Sequence, residues 1–461
     1  MGEFEFEGPS HSEIWEKIGS SSWSEKLEGL IEAASEKANV SGDSLGALPY
    51  LDEARAVAED NGDLTALAHV YMLLGMTYSR LNDWSACALA HEAGADASKR
   101  GLAAELEVDH LAFAGRAYRR LRDYGSMRRN FELALKLAGE CGYAYRTSLK
   151  AEYGRYLRKI GDLEAALGLL SSAYSDGVPG PAARAAGELV RLKLDSGDVA
   201  GAMTYAEEAF AAASYMEDMR SLNSAQFMLA KAKLASGDVV GARLDLDALK
   251  ERQKWAKIKH KVRVDALFAE VLMRLGEWDS ALPVWVKVIP MLRKEELWND
   301  LGAALQLRAE CHAVMSNMDE YFNTMLEASS AFGAAENWQG QGSVMLEIAN
   351  QSLAEGNLVA ASDYALRVVD QVLLSFSDVH NVALGIYAVA LVRQGKTADA
   401  ELVVSRLDAV KDLAGIALAH KLQASALLAT GVKAKNLAAK AVREYLLLNR
   451  HSYASMLAPL M

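Results

Sequence analysis

Cationic side chains recur along this chain at a nearly constant interval. Arg116, Arg155, Arg191 and Lys231 follow one another at separations of 39, 36 and 40 residues. Arg80, Arg119, Arg120, Arg158 and Lys159 lie about one helical turn beyond that series. Between Lys99 and Lys159 there are 14 Lys plus Arg against 7 Asp plus Glu, a local +7, which leaves −19 for the rest of a chain whose net charge is −12. Segregated charge of one sign focuses an electric field in a cleft. A guanidinium also grips a carboxylate or phosphate through two parallel hydrogen bonds. Anion recognition is therefore the chemistry these residues could perform.

Reaction chemistry finds less support. Gly395-Lys396-Thr397 resembles the end of a phosphate loop, but Ala390 stands where its leading glycine belongs. Gly340-Gln341-Gly342 has Met345 in place of a third glycine. The first of these also falls in a helix-to-helix turn, without the preceding strand that such loops require. His69, His91, His110 and His312 are scattered singly, without metal-ligand spacing, and are expected in core or capping roles. No Ser/His/Asp or Cys/His grouping can be assembled. Cys87, Cys141 and Cys311 are odd in number and far apart, and read as small apolar residues in a reducing compartment. No catalytic residue, cofactor site or metal site is expected.

The elements that must position the cations are set by a second periodicity. Gly42-Asp43, Asn82-Asp83, Arg122-Asp123, Gly161-Asp162, Gly197-Asp198, Gly237-Asp238, Gly276-Glu277, Ser316-Asn317, Gly356-Asn357, Gly395-Lys396 and Gly431-Val432 recur every 36 to 40 residues. Between them apolar residues follow helical spacing, as in Leu67, Val70, Tyr71, Leu74 and Tyr78. Asn or Asp at the break can cap the next helix. Two helices of about 16 residues, each about 24 Å long, fill one interval. The prediction is eleven antiparallel helix pairs, about 22 helices, stacked into an all-α solenoid. Only 7 prolines interrupt the chain, and 51% of it is apolar, enough for a continuous core.

These units resemble the tetratricopeptide repeat (TPR) family. The residues that carry the resemblance are Tyr71, Leu74, Gly75, Tyr78 and Asn82-Asp83-Trp84, then Ala114, Gly115, Tyr118, Asp123-Tyr124, Phe131 and Ala134. The family's small residue in the first helix falls on Gly75, Gly115, Gly154, Ala230, Ala269, Ala309, Ala349, Ala388 and Ala424. In the second helix it falls on Ala47, Ala166, Ala202, Ala242, Ala281, Ala361 and Ala400. The units are about one helical turn longer than the family's usual 34 residues. In that they are similar to the repeats of kinesin light chains, Leu-Gly-Asn adaptors and bacterial peptide-sensing regulators. A right-handed superhelix is what the resemblance implies.

The resemblance further implies a concave groove lined by the first helix of each unit. The position after each small residue then faces it: Glu36, Met76, Arg116, Arg155, Arg191, Lys231, Glu270, Glu310, Asn350, Val389 and Ser425. The expected function is a non-catalytic protein- or peptide-binding scaffold or adaptor. Its groove would recognise an acidic or phosphorylated partner segment, with Arg116, Arg155 and Arg191 on the charges and Met76 against apolar residues. Arg80, Arg119, Arg120, Arg158, Lys159 and Lys231 would extend that peptide-binding groove. A ligand-switched regulatory protein and a structural subunit of a larger assembly are the alternatives.

Four segments are expected: a flexible tail at 1–12, repeats 1–4 at 13–176, repeats 5–11 with a capping helix at 177–451, and a tail at 452–461. The division rests on Asp176-Gly177-Val178-Pro179-Gly180-Pro181, expected to truncate a helix and form an extended link. A second basic run, Lys250, Arg252, Lys254, Lys257, Lys259, Lys261 and Arg263 around Trp255 and His260, reads as a solvated rim. Net negative charge argues against nucleic acid or anionic lipid as partner. No stretch is apolar enough to span a membrane, so a soluble, cytoplasmic protein is expected.

Overall fold

The structure, a computed structural model, describes residues 23–215, 219–252, 258–314, 317–372 and 377–461. The expected tail at 1–12 lies outside them. Helices occupy nearly all of what is described. The first unit pairs α1 (Glu25–Ser35) with α2 (Ser44–Asp60), and the second α3 (Leu64–Arg80) with α4 (Trp84–Arg100). Then follow α5 (Ala104–Arg120) with α6 (Tyr124–Glu140), α7 (Arg146–Lys159) with α8 (Leu163–Ser175), and α9 (Pro179–Asp195) with α10 (Val199–Tyr215). The next three pairs are α11 (Met219–Ser236) with α12 (Val239–Arg252), α13 (Ile258–Arg274) with α14 (Trp278–Lys294), and α15 (Trp298–Val314) with α16 (Met318–Ala334). The last are α17 (Trp338–Ala354) with α18 (Leu358–Gln371), α19 (Ser377–Arg393) with α20 (Thr397–Asp408), and α21 (Gly415–Leu428) with α22 (Gly431–Leu447). A short helix α23 (His451–Ser455) and a 3-10 turn at Ala458–Leu460 complete the described chain.

Each recurrent turn motif sits between the two helices of one pair, as its spacing requires. Its first residue is held at positive φ in ten of the eleven cases, from 58° at Asn82 and Gly431 to 88° at Gly237. The eleventh, Ser316, is outside the described residues. Backbone N–H groups of the turn close on the helix just ended: Asn82 on Ser79 and Asp83 on Tyr78, at 3.1 and 3.0 Å. The Asp83 carboxylate then accepts from Ala86 N at 3.0 Å and starts the partner helix. The described turns between one pair and the next use the same device. There, besides Gly62, Gly142 and Gly177, the positive-φ residue is Leu102, Glu296, Glu336 or Asp412. These side chains hide the repeat from sequence inspection.

The predicted small residues are where the helices of a pair cross. Ala230, Ala269, Ala309, Ala349, Ala388 and Ala424 are all fully buried. At Gly115 a Cβ would lie 2.8 Å from the Phe131 ring, and at Gly154 2.8 Å from Leu170 Cγ. Helix axes that close leave no volume for a methyl group. Two of the histidines read as isolated are in fact partners. His91 and His110 meet through their Nδ1 atoms at 3.1 Å, and His110 Nε2 lies 3.0 Å from the Ala68 carbonyl. That carbonyl can only accept, so His110 carries its proton on Nε2 and His91 donates from Nδ1. Burial pushes the His110 pKa down to about 3, and likewise that of His420 to about 4.

Chain contacts divide the molecule into two compact units. One comprises 23–155 and 166–189; the other comprises Tyr156–Ala165 and Val190–Met461. At the expected joint, α8 is indeed short, but no extended link follows. Gly177 turns at φ 70° and Pro179 opens α9 directly, with Ala182 N bonded to Val178 O at 2.8 Å. Proline suits a first helical turn, where its missing N–H costs nothing. Asp176 is pinned to α7 by Thr147 Oγ1 at 2.8 Å and Lys150 Nζ at 2.7 Å. The segment expected as a tail at 452–461 is packed, with Tyr453, Ala454 and Leu457 buried.

Two measurements check this account. Leu102 is 91% exposed at φ 57°, so Leu102→Gly removes backbone strain without removing packing. Thermal or urea unfolding should show the variant more stable by about 0.5–1 kcal/mol. The histidines set a pH dependence. Their folded pKa values lie below the ordinary 6.5, so stability is complete above pH 6.5 and falls as the pH drops toward 4. The slope is at most about 1.4 kcal/mol per pH unit for each proton bound by the unfolded chain. In His110→Gln the slope between pH 6.5 and 5 should decrease by about one proton's share.

Candidate functional site

The first helices of successive units carry the candidate residues, and the two compact units divide them. Met76, Arg80, Arg116, Arg119, Arg120 and Arg155 belong to one; Arg158, Lys159, Arg191 and Lys231 belong to the other.

In the first group most of the chemistry is already engaged. Arg116 on α5 grips Glu152 on α7 through Nε–Oε1 and Nη2–Oε2, both 2.8 Å. Both side chains are mostly buried, and the Arg116 guanidinium also lies 4.5 Å from the Phe113 ring. This is the two-pronged carboxylate capture foreseen for a ligand, made instead with the next repeat. Arg80 Nη1 reaches the Ala38 carbonyl at 3.4 Å, and Arg120 stacks 5.3 Å from Trp84. Met76 is 2% exposed and belongs to the core around α3, so it has no surface to offer a ligand. Arg119 and Arg155 are half-buried.

The second group lies differently. Arg158 binds Asp195 at 2.5 Å, stapling α7 to α9. Lys159 Nζ donates to the Ala335 carbonyl at 3.2 Å, a contact across 176 residues of sequence. Ala335 follows the last turn of α16, so this ammonium meets the negative end of a helix. The contact ties the end of α7 to the end of α16.

Lys231 lies on α11, between α7 and α16 in sequence. Burial lowers its pKa, Asp300, Glu270 and Asp195 pull it back up, and Arg191 lowers it again. The ammonium therefore feels charges from α9, α13 and α15 as well as from its own environment. Its side chain is only half-buried, and its Nζ lies 6.0 Å from the Phe227 ring. Among the described residues no carboxylate comes within ion-pair distance of it. The carboxylates around it are held elsewhere: Asp300 by Arg263 at 2.7 Å, Asp195 by Arg158, and Glu270 loosely by Arg274 at 4.0 Å. Burial raises the Glu270 pKa, Lys231 and Arg274 oppose that, and Glu310 adds to it. Arg191, Lys231, Glu270 and Glu310 hold the same register on four consecutive first helices, two cations and then two anions.

Cys87 and Cys311 are buried, Cys141 is partly exposed, and burial pushes the Cys87 thiol up to about 12. In the second basic run, Lys250 lies 3.1 Å from the Phe268 ring centroid and 3.8 Å from Asp265, and Arg263 is paired with Asp300. Lys254, Trp255 and Lys257 lie outside the described residues. Among the described residues no group of three or more His, Cys, Asp and Glu could hold a metal ion. No helix among them is long and apolar enough to cross a membrane.

No protein-family model and no curated protein matches the sequence. Among solved structures, BtubC (BKLC) from P. vanneervenii is 20% identical at TM-score 0.39, over 49% of this chain and 90% of that one. The apo form of RapI is 13% identical at TM-score 0.49, over 75% and 96%. The apo form of the quorum sensor NprR from B. thuringiensis is 16% identical at TM-score 0.46, over 75% and 97%. What this chain binds has to be read from its own residues.

Arg116→Ala would leave Glu152 buried without its counter-charge. The loss should be about 1–3 kcal/mol in denaturant unfolding. Arg116→Ala/Glu152→Ala should cost clearly less than the sum of the single changes.

Proposed function

We propose that the chain is a non-catalytic, tetratricopeptide-type array that binds an extended peptide along the first helices of its second compact unit. The observation that carries this reading is Lys231, a half-buried ammonium in the field of three neighbouring helices with no ion pair of its own among the described residues. Holding a cation partly out of water without a partner is costly unless something supplies the missing charge. A ligand carboxylate is the simplest completion.

The register gives the ligand a direction. An acidic group would lie at Arg191 and Lys231, and a donor or cationic group at Glu270 and Glu310, farther along the array. Arg116 and Arg158 act as inter-repeat staples in this reading, so they hold the surface in shape and do not touch the ligand. A preformed wall of helices spares the receptor much of the ordering cost of binding. Charge would chiefly set the rate of encounter and the selectivity.

The test compares full-length wild type with Lys231→Glu, using immobilised extended peptides that carry either two glutamates or two glutamines. Wild type should retain the glutamate peptides, with retention falling as salt rises. Lys231→Glu should lose at least about tenfold in affinity, near 1.4 kcal/mol. Equal retention of the glutamate peptides by both proteins rejects the site.

A further inference from the structure

The chain's own C-terminal segment packs back on the last three repeats. Tyr453 of α23 donates its hydroxyl to the main-chain oxygen of Asn350 at 2.8 Å and approaches Asn350 Oδ1 at 3.2 Å. Asn350 follows the small residue Ala349 on α17, the register position that Lys231 occupies on α11. The Tyr453 ring stacks on Tyr445 of α22 at 5.4 Å, and meets the edge of His420 of α21 at 5.4 Å. Leu457, four residues on, is fully buried in the core that joins α17, α19 and α21. At the same register on α19, Val389 is fully buried as well, whereas Lys231, Glu270 and Asn350 are half-buried and Glu310 is exposed.

A simple end cap would cover only the last helix pair. Here the contact crosses 103 residues of sequence and reaches α17, the first helix two units earlier. The first helices in this core approach one another closely. A Cβ on Gly342 of α17 would lie 2.8 Å from Val379 of α19, and one on Gly385 of α19 would lie 2.8 Å from His420 Cβ of α21. On these packed helices the Tyr453 ring and the Leu457 side chain complete one apolar core.

We propose that residues 451–461 are a displaceable intramolecular ligand. The seat formed by α17, α19 and α21 takes a short segment presenting a tyrosine on a helical turn and, four residues later in the turn that follows, a leucine. A partner segment of that chemistry binds there only when the chain's own segment has left. This stands on residues separate from Lys231, so either reading can fail without the other. A seat filled in cis lowers the apparent affinity for any competitor by the fraction of molecules in which it is free.

The experiment uses the full chain and a labelled peptide of the sequence 449–461, followed by fluorescence anisotropy. Leu457→Asp places a charge in the buried seat and should expel the segment. That variant should bind the peptide saturably and at least about tenfold more tightly than wild type. Unlabelled peptide should compete, and the same peptide with Tyr453→Ala should not. Tyr453→Phe keeps the ring and loses only the bonds to Asn350; it should bind the labelled peptide a few-fold more tightly than wild type. If neither variant gains affinity over wild type, the segment is a fixed cap and the proposal is wrong. A Leu457→Asp protein that unfolds, together with a Tyr453→Phe protein that gains nothing, overturns it equally.

Discussion

Every described hairpin in this array depends on one residue held in the left-handed region of backbone space. That conformation lets two successive N–H groups turn back onto the ending helix, and it aims the following Asp or Asn at the first turn of the next. The return angle of the second helix follows, and with it the point at which the two axes cross. Where they cross, a methyl group or a hydrogen is all that fits, which is why the small-residue register and the turn register share one period. Glycine takes the left-handed conformation without cost; Arg122 and Asn82 take it at φ 59° and 58° because the surrounding helices over-determine it. Local geometry repeated at one interval thus makes the array, and long-range contacts adjust it.

That hierarchy explains what could be read from residues alone. The turns within pairs were legible because Gly-Asp and Asn-Asp announce both a left-handed residue and a cap. The crossings were legible because small residues recur in step with those turns. The turns between pairs were obscured, since Leu102, Glu296 and Glu336 carry no signature of the conformation they adopt. The His91–His110 pair was missed for another reason. The two rings sit on facing helices 19 residues apart, and only the depth of the helix crossing decides whether they touch. The nearby glycines were the available clue: a Cβ on Gly75 would collide with His91, and one on Gly94 with His110.

The cations show the limit of periodicity as evidence of function. A recurring arginine marks a recurring position, and the position says nothing about whether the next repeat supplies a carboxylate. Arg116 finds Glu152, Arg158 finds Asp195 and Arg263 finds Asp300, each 36 or 37 residues ahead. A helix face that meets its neighbour once per unit will pair charges at the unit's own period. The two-pronged carboxylate grip of Arg116 is therefore used to join repeats. An acidic ligand competing for Arg116 would have to replace two well-formed charge-assisted hydrogen bonds with two others, for little net gain.

A binding position in such an array is better sought where the pairing fails. Lys231 meets that criterion because the acids near it are committed to Arg263, Arg158 and Arg274, leaving its charge compensated only at a distance. The far end of the same unit meets it in another form. There the register position changes from charged residues to Asn350 and Val389, and polar staples give way to an apolar seat that exposed helices could not leave bare. The chain covers that seat with its own tyrosine and leucine. Charge left incomplete at α11 and apolar surface covered at α17 to α21 are two outcomes of one constraint: a repeat joins its neighbour through whatever its first helix offers, and any remainder needs another partner.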